Sequence, residues 1–344
     1  MAMGAFISGC LGPELNAGEF DFFRRTNPFG LILFKRNCDN PGQVLALTTA
    51  FRAAVGRKDA PVFIDQEGGR VQRMGPPVPE WRKYPSASNF GRLYEACPLH
   101  AMRAARLVGR LMAQDLIAVG IFADCVPVLD LPQPGSSAVI QDRAYAARPE
   151  VALALGRAHA AGLSEGGVMP VMKHIPGHGR AEVDSHHDLP VIKASRAELE
   201  VHDFYTFAGY GDCPMAMTAH VVLSAIDPDH PATQSRIVIR DVIRKQLAYN
   251  GLLITDDMSM KALKGSFTEK TRRSLDAGVD VVLHCHGVMA EMEEVAAAAG
   301  ALTGKSLARA KAALRSRRKP LVFDQKLALR DLEAVLNVAG TSAA

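Results

Sequence analysis

The sequence predicts a single (β/α)8 barrel, irregular in places, with extra helices at its C-terminal end. Three observations predict it. Short apolar segments alternate with helix-like stretches along the 344 residues, the pattern of parallel strands joined by right-handed crossovers. Eight such segments can be counted, the number that closes a barrel. The first is followed by Gly9-Cys10-Leu11-Gly12-Pro13, which is not the GxGxxG loop of a doubly wound open sheet.

The strands are expected at Ala5–Ser8, Leu31–Phe34, Val62–Ile64, Ile121–Ala123, Val168–Lys173, Met215–Ala219, Leu252–Thr255 and Val279–Leu283. The intervening helices carry readable signals. Ala104, Leu107, Val108 and Leu111 recur at helical spacing, and Gly120 follows as a stop. Pro149 suits a first helical turn, and Gly166-Gly167 ends that segment before the next strand. A further helix is expected to open near Ser235, bury Ile239, Val242, Ile243 and Leu247, and stop at Asn250-Gly251. Past about Leu302 more helix is expected against the outside of the barrel, so that residues 1–344 form one catalytic domain. The basic run Arg315-Ser316-Arg317-Arg318-Lys319 reads as a solvated helix end, favoured by the helix dipole.

Composition narrows the functional classes. Apolar residues make up 48% and charged residues 22%, which excludes a disordered chain. A net charge of +4 gives no reason to expect a nucleic acid partner. No apolar run approaches the roughly 20 residues of a membrane span, and no signal peptide is visible at Met1-Ala2-Met3-Gly4. The six cysteines are scattered and form no CxxC pair. The expectation is a cytoplasmic protein with reduced, mostly buried thiols.

Polar residues gather where the strands end, the face on which barrels place catalytic groups. The third strand runs into Asp65-Gln66-Glu67-Gly68-Gly69-Arg70, the fifth into Lys173-His174, the sixth towards His220, the seventh into Asp256-Asp257 and the eighth to His284. The segment from Lys173 to Pro190 is densest in chemistry, with His174, His178, His186 and His187 among its residues. Its Pro and Gly content excludes a helix, so it should be a long loop over the barrel mouth. By spacing alone it could be a solvated loop, a metal site, or a carboxylate–imidazole pair in which Asp184 holds one nitrogen of His186 and leaves the other free for proton transfer.

Lys173-His174-x-Pro176-Gly177-His178-Gly179 followed by Asp184-Ser185-His186 resembles the signature loop of bacterial β-N-acetylhexosaminidases of glycoside hydrolase family 3. Thr255-Asp256-Asp257-Met258-Ser259-Met260 looks like that family's nucleophile motif, and Asp65-Gln66-Glu67-Gly68-Gly69-Arg70-Val71-Gln72-Arg73 and Asp142-Arg143 match as well. The motifs appear in the family's order from about Phe6 to His284, in the compact single-barrel form rather than the two-domain form. The resemblance implies Asp256 as nucleophile, His186 as general acid/base and Asp184 as its orienting partner. It implies that Asp65, Arg73, Arg143, Lys173 and His174 bind the hydroxyls and N-acetyl group of the sugar. Thr255 stands where Ser is common and Tyr145 where Phe is common, and neither change removes a functional group.

A retaining glycosidase needs a carboxylate that attacks the anomeric carbon and a second group that protonates the leaving oxygen. Here the second group would be an imidazole, whose ordinary pKa near 6.5 suits donating and recovering a proton at neutral pH. The implied activity is hydrolysis of terminal β-linked N-acetylglucosamine, with small carbohydrate or muropeptide substrates from cell-wall recycling, by a monomer without metal or other cofactor. The alternatives are phosphorolysis at the same site, a zinc hydrolase built on His174, His178 and His186, and a non-catalytic sugar-binding barrel. Of the remaining polar residues, Asp257 reads as a helix N-cap, His178 and His187 as loop or rim residues, and Glu67 as part of a turn. His284 and His286 read as buried or mouth-lining, and Trp81 as loop packing.

Overall fold

The computed structural model describes residues 2–185 and 187–338. Eight parallel strands close into a barrel: β1 (Gly4–Ser8), β2 (Pro28–Leu33), β3 (Val62–Ile64), β4 (Ala123–Asp124), β5 (Met169–Ile175), β6 (Met215–Thr218), β7 (Leu252–Asp257) and β8 (Val281–His284). Each pairs with its sequence neighbours, and β8 returns to β1 through Phe6↔Val282 and Ile7↔Leu283. All eight expected segments are therefore barrel strands. The boundaries shift by up to three residues: β2 starts three residues earlier than expected, β4 two residues later, and β5 and β7 each run two residues further at the catalytic face.

Alternation along the strands sorts the core. Ile7, Phe29, Phe63, Val171, Met217 and Ile254 belong to the cluster filling the barrel, while Phe6, Leu31, Leu33 and Val62 pack outward under the helices. The helix Pro98–Ala118 buries Ala104, Val108 and Leu111, and Pro149 opens the helix Pro149–Glu165. The stretch after Ser235 buries the four expected residues, but Val238–Gln246 winds as a π-helix rather than an α-helix. The Ser235 hydroxyl accepts the Val238 N–H at 3.0 Å and donates to Asp227 at 2.5 Å, anchoring that start.

Two helices follow the barrel, Gly304–Ser316 and Gln325–Val338. The second packs Ala328, Leu332, Val335 and Leu336 into the outer core. The basic run is not wholly solvated. Arg317 lies over the Phe122 ring with 3.4 Å between its guanidinium carbon and the ring centroid, and it donates to the Gly167 carbonyl. All six cysteines are unpaired and five are buried. Trp81 is 5% exposed within the outer core. Among the described residues no helix is long and apolar enough to cross a membrane.

Candidate active site

The strand ends converge on a cavity of about 320 Å³ lined by Asp65, Arg73, Arg143, Lys173, His174, Asp184 and Asp256. Every site residue named from the sequence, except His186, lines this one cavity. His186 lies outside the described residues. A larger cleft of about 640 Å³ beside the mouth is lined by exposed ionisable groups such as Arg236, Lys264 and Arg273 and holds no comparable buried cluster.

One wall is a buried ion network. The Lys173 ammonium, 2% exposed, donates to Asp65 Oδ1 at 2.7 Å and reaches Glu67 Oε1 at 2.7 Å. Arg73 Nη2 donates to the other Asp65 oxygen at 3.0 Å, and Arg143 grips Glu67 with two bonds of 2.8 Å. Burial alone would raise both carboxyls. Lys173 and Arg73 outweigh it at Asp65 and hold that group far below the usual carboxylate range, while Arg143 and Lys173 bring Glu67 down to about 2. Unpaired, any of these buried charges would cost several kcal/mol (about 3–5). Paired, they form a fixed array of donors and acceptors on which a sugar's hydroxyls can be oriented without reorganisation.

Glu67 was expected in a turn, and the structure corrects this. The turn is Gly69-Arg70, entered with positive φ at Gly68 (+89°) and Gly69 (+58°), and Glu67 lies buried in the short strand Gln66–Gly68 that precedes it. An acid three residues past the end of an apolar strand is a sequence signal for a charge at the barrel mouth, but its partner 76 residues away is not visible there.

Two strands that carry site residues slip register. On β5, Lys173 pairs with Met217 but Ile175 already pairs with Thr218, and β7 slips against β8 between Ile254 and Asp257. Such bulges let consecutive residues both face a site. Thus Lys173 and His174 both line the cavity, as do Asp256 and Asp257. Asp256 is the freer carboxylate, its side chain 18% exposed. Burial would raise its pKa, but His174, His220 and the Asp257 N–H together lower it, so it stands ionised. His220 is held by Thr233 at 2.7 Å and reaches the Asp257 carbonyl at 3.1 Å.

Asp257 is not a helix N-cap. It accepts the Ser259 N–H at 3.0 Å, the Ser259 hydroxyl at 2.5 Å and the Cys285 N–H at 3.2 Å, while the next helix begins at Phe267 behind its own cap, Ser266. Thr255 serves the same seam, its hydroxyl accepting the Leu283 N–H at 2.9 Å. Tyr145 keeps its hydroxyl satisfied against His159 Nδ1 at 2.8 Å.

Among the described residues the loop after β5 forms no helix, as expected, and its anchor is a residue that sequence reasoning missed. Asp130, fully buried, accepts the His178 N–H at 2.7 Å and His174 Nδ1 at 2.6 Å. No motif surrounds it; only its place after the short β4 hinted at a site. His178 is structural: its Nε2 meets Ser185 Oγ at 3.1 Å, and burial drops its pKa to about 4. Gly179 is required because a Cβ there would sit 2.1 Å from the Leu131 carbonyl. Asp184, half-buried, faces the cavity beside Ser185, whose carbonyl is tied to the Ala262 N–H at 3.2 Å. His284 and His286 do not line the cavity. His284 is buried against Glu291 at 2.8 Å and His286 is exposed. Among the described residues, His174 and His178 do not converge with a third metal-ligating side chain.

Comparison with known proteins identifies relatives of the chain and of its fold. A curated β-hexosaminidase of Alkalilimnicola ehrlichii is 38% identical over 290 residues, 83% of this chain and 82% of its own. NagZ of Neisseria gonorrhoeae superposes with a TM-score of 0.85 at 29% identity, covering all of this chain and 99% of that one. The same NagZ has been solved with N-trifluoroacetyl-D-glucosamine at the same TM-score and identity, covering 99% of each chain. Residues 24–316 match the glycosyl hydrolase family 3 N terminal domain, and the chain belongs to that family of glycoside hydrolases.

Proposed function

We propose that this protein removes terminal, non-reducing N-acetyl-β-D-glucosamine by a retaining mechanism through a glycosyl-Asp256 intermediate. The observation that carries the reading is Asp256, a half-buried carboxylate kept ionised by its surroundings and open to a cavity walled with charged and hydrogen-bonding groups. The relatives named β-hexosaminidases and the neighbour solved with an N-acylglucosamine support the N-acetyl sugar as substrate.

In the first step His186 donates a proton to the glycosidic oxygen as Asp256 attacks the anomeric carbon. The carbon–oxygen bond breaks and the aglycone leaves as an alcohol. In the second step water attacks the same carbon, the bond to Asp256 breaks, and His186 takes the water proton. Asp184 orients the imidazole and stabilises its cation. Asp65, Arg73, Arg143, Lys173 and His174 hold the sugar ring. The substrate class is N-acetylglucosaminyl-β-1,4-anhydro-N-acetylmuramic acid and its peptides, from cell-wall recycling. Phosphorolysis is the less fitting use of the site, because Lys173, Arg73 and Arg143 are paired with Asp65 and Glu67, and the one positive charge left over is balanced by the ionised Asp256.

The test compares a chromogenic N-acetyl-β-glucosaminide with the plain β-glucoside, with and without phosphate. A strong preference for the N-acetyl sugar and free N-acetylglucosamine as product are expected. Equal turnover of the glucoside, or a sugar 1-phosphate product, overturns the reading.

A further inference from the structure

β8 ends in His284, and the chain then passes through Cys285 and His286 to the helix Met289–Ala299, whose first turn carries Glu291. Leu283 and Cys285 line the sugar cavity, whereas His284, His286 and Glu291 do not, so His284 at the strand end, His286 after it and Glu291 on the helix lie away from that cavity. There His284 Nε2 lies 2.8 Å and His286 Nδ1 3.4 Å from the same oxygen, Glu291 Oε2, and the three atoms all fall within 4.8 Å of one another.

We propose that His284, His286 and Glu291 form a binding site for one zinc-class divalent cation, behind the catalytic cavity and separate from it. Three observations support this. The first is geometry. Zinc bonds to imidazole nitrogen and carboxylate oxygen are about 2.0–2.2 Å long, so tetrahedral ligand atoms stand roughly 3.4 Å apart. The His286–Glu291 separation of 3.4 Å matches that value and the His284–Glu291 separation of 2.8 Å falls about 0.6 Å short of it. The second is donor chemistry. Two imidazoles and one carboxylate suit zinc and its neighbours, whereas calcium and magnesium prefer all-oxygen sites. The third is access. His284 is held rigidly inside, with its ring edge-on to Phe267 at 5.2 Å, while the His286 side chain is 53% exposed. The outer side leaves a path for the ion and room for water as the fourth ligand.

The ion would join the end of β8 to the following helix. That segment also supplies the Cys285 N–H to Asp257, the neighbour of Asp256. Its expected effect is therefore to stabilise the β8 wall of the site, with no contact to the sugar.

The experiment titrates zinc chloride into the metal-free full-length protein by calorimetry and follows the thermal midpoint. One equivalent should bind with micromolar affinity and raise the midpoint, and saturating N-acetylglucosamine should leave the affinity unchanged. His286→Ala, at an exposed position, and Glu291→Gln should each weaken binding by at least tenfold. Cobalt(II) in place of zinc should show the visible absorption of a four-coordinate site in the native protein and not in His286→Ala. Undiminished binding in both variants, competition between zinc and the sugar, or no binding at millimolar zinc overturns the proposal.

Discussion

Asp130 fixes the orientation of His174. Its carboxylate accepts Nδ1 at 2.6 Å, which leaves the ring's Nε2 3.9 Å from Asp256 Oδ2. A carboxylate in β4's outgoing loop thus sets the partner of a carboxylate on β7 through one imidazole. Burial would raise the Asp130 pKa, but His174 lowers it, so the anchor is anionic.

Asp130→Asn should consequently loosen His174 while keeping the side chain's shape. Because His174 helps lower the Asp256 pKa in the free protein, the acid limb of kcat/KM should move to higher pH. A loss of about 10–100-fold in kcat/KM is expected, typical of groups that orient a first contact. An unmoved acid limb in a folded variant would show that Asp130 serves only the loop.

Asp256, and not Asp257, should become glycosylated. A 5-fluoro glycosyl inhibitor followed by peptide mapping should place the label on Asp256. Asp257→Asn should instead weaken the fold locally, by about 1–3 kcal/mol, through the bonds it makes to Ser259 and Cys285. Label on Asp257 or Glu67 would reverse the assignment.

His186→Ala should lose activity unevenly. A nitrophenolate can leave unprotonated, so an aryl substrate should still glycosylate Asp256 and give a burst followed by slow turnover. The natural disaccharide, with its poor leaving group, should lose at least about 10²-fold. Azide should speed the second step and yield a glycosyl azide. Asp184→Asn should lower kcat and kcat/KM together with little change in binding. Equal, small losses on both substrates in His186→Ala would point to a neighbour such as His187 or Glu182.

Stability should fall in mild acid because of two buried histidines. Burial lowers His178 and His159 from 6.5 to about 4. The unfolded chain therefore binds more protons than the folded one between these values. Stability is full above about pH 6.5 and declines as pH falls towards 4, by on the order of 3 kcal/mol per group over the whole span. Urea unfolding at pH 7 and pH 5 measures this. His159→Gln should shrink the difference between the two, and an unchanged difference would locate the acid sensitivity elsewhere.

What was legible and what was not follows from how far apart the interacting groups lie. Apolar runs, stop signals and motif order are local, so Val62–Ile64 or the Pro149 helix could be placed from neighbouring residues alone. Local pattern failed where a tertiary contact overrode it. The stretch after Ser235 has an amphipathic pattern yet winds as a π-helix. Asp257 looks like a cap but is drawn to Cys285, which is 28 residues later.

By itself the sequence determined the eight-strand order, the apolar core and the cluster of acids, histidines and cations at the strand ends. Only the tertiary structure decided which charges meet. Glu67 acquires its role from Arg143 and Lys173, and Asp130 from a histidine 44 positions away. The reason is electrostatic. A charge in a low-dielectric wall is tolerated only beside its counterion, and barrel closure, rather than spacing along the chain, brings the two together.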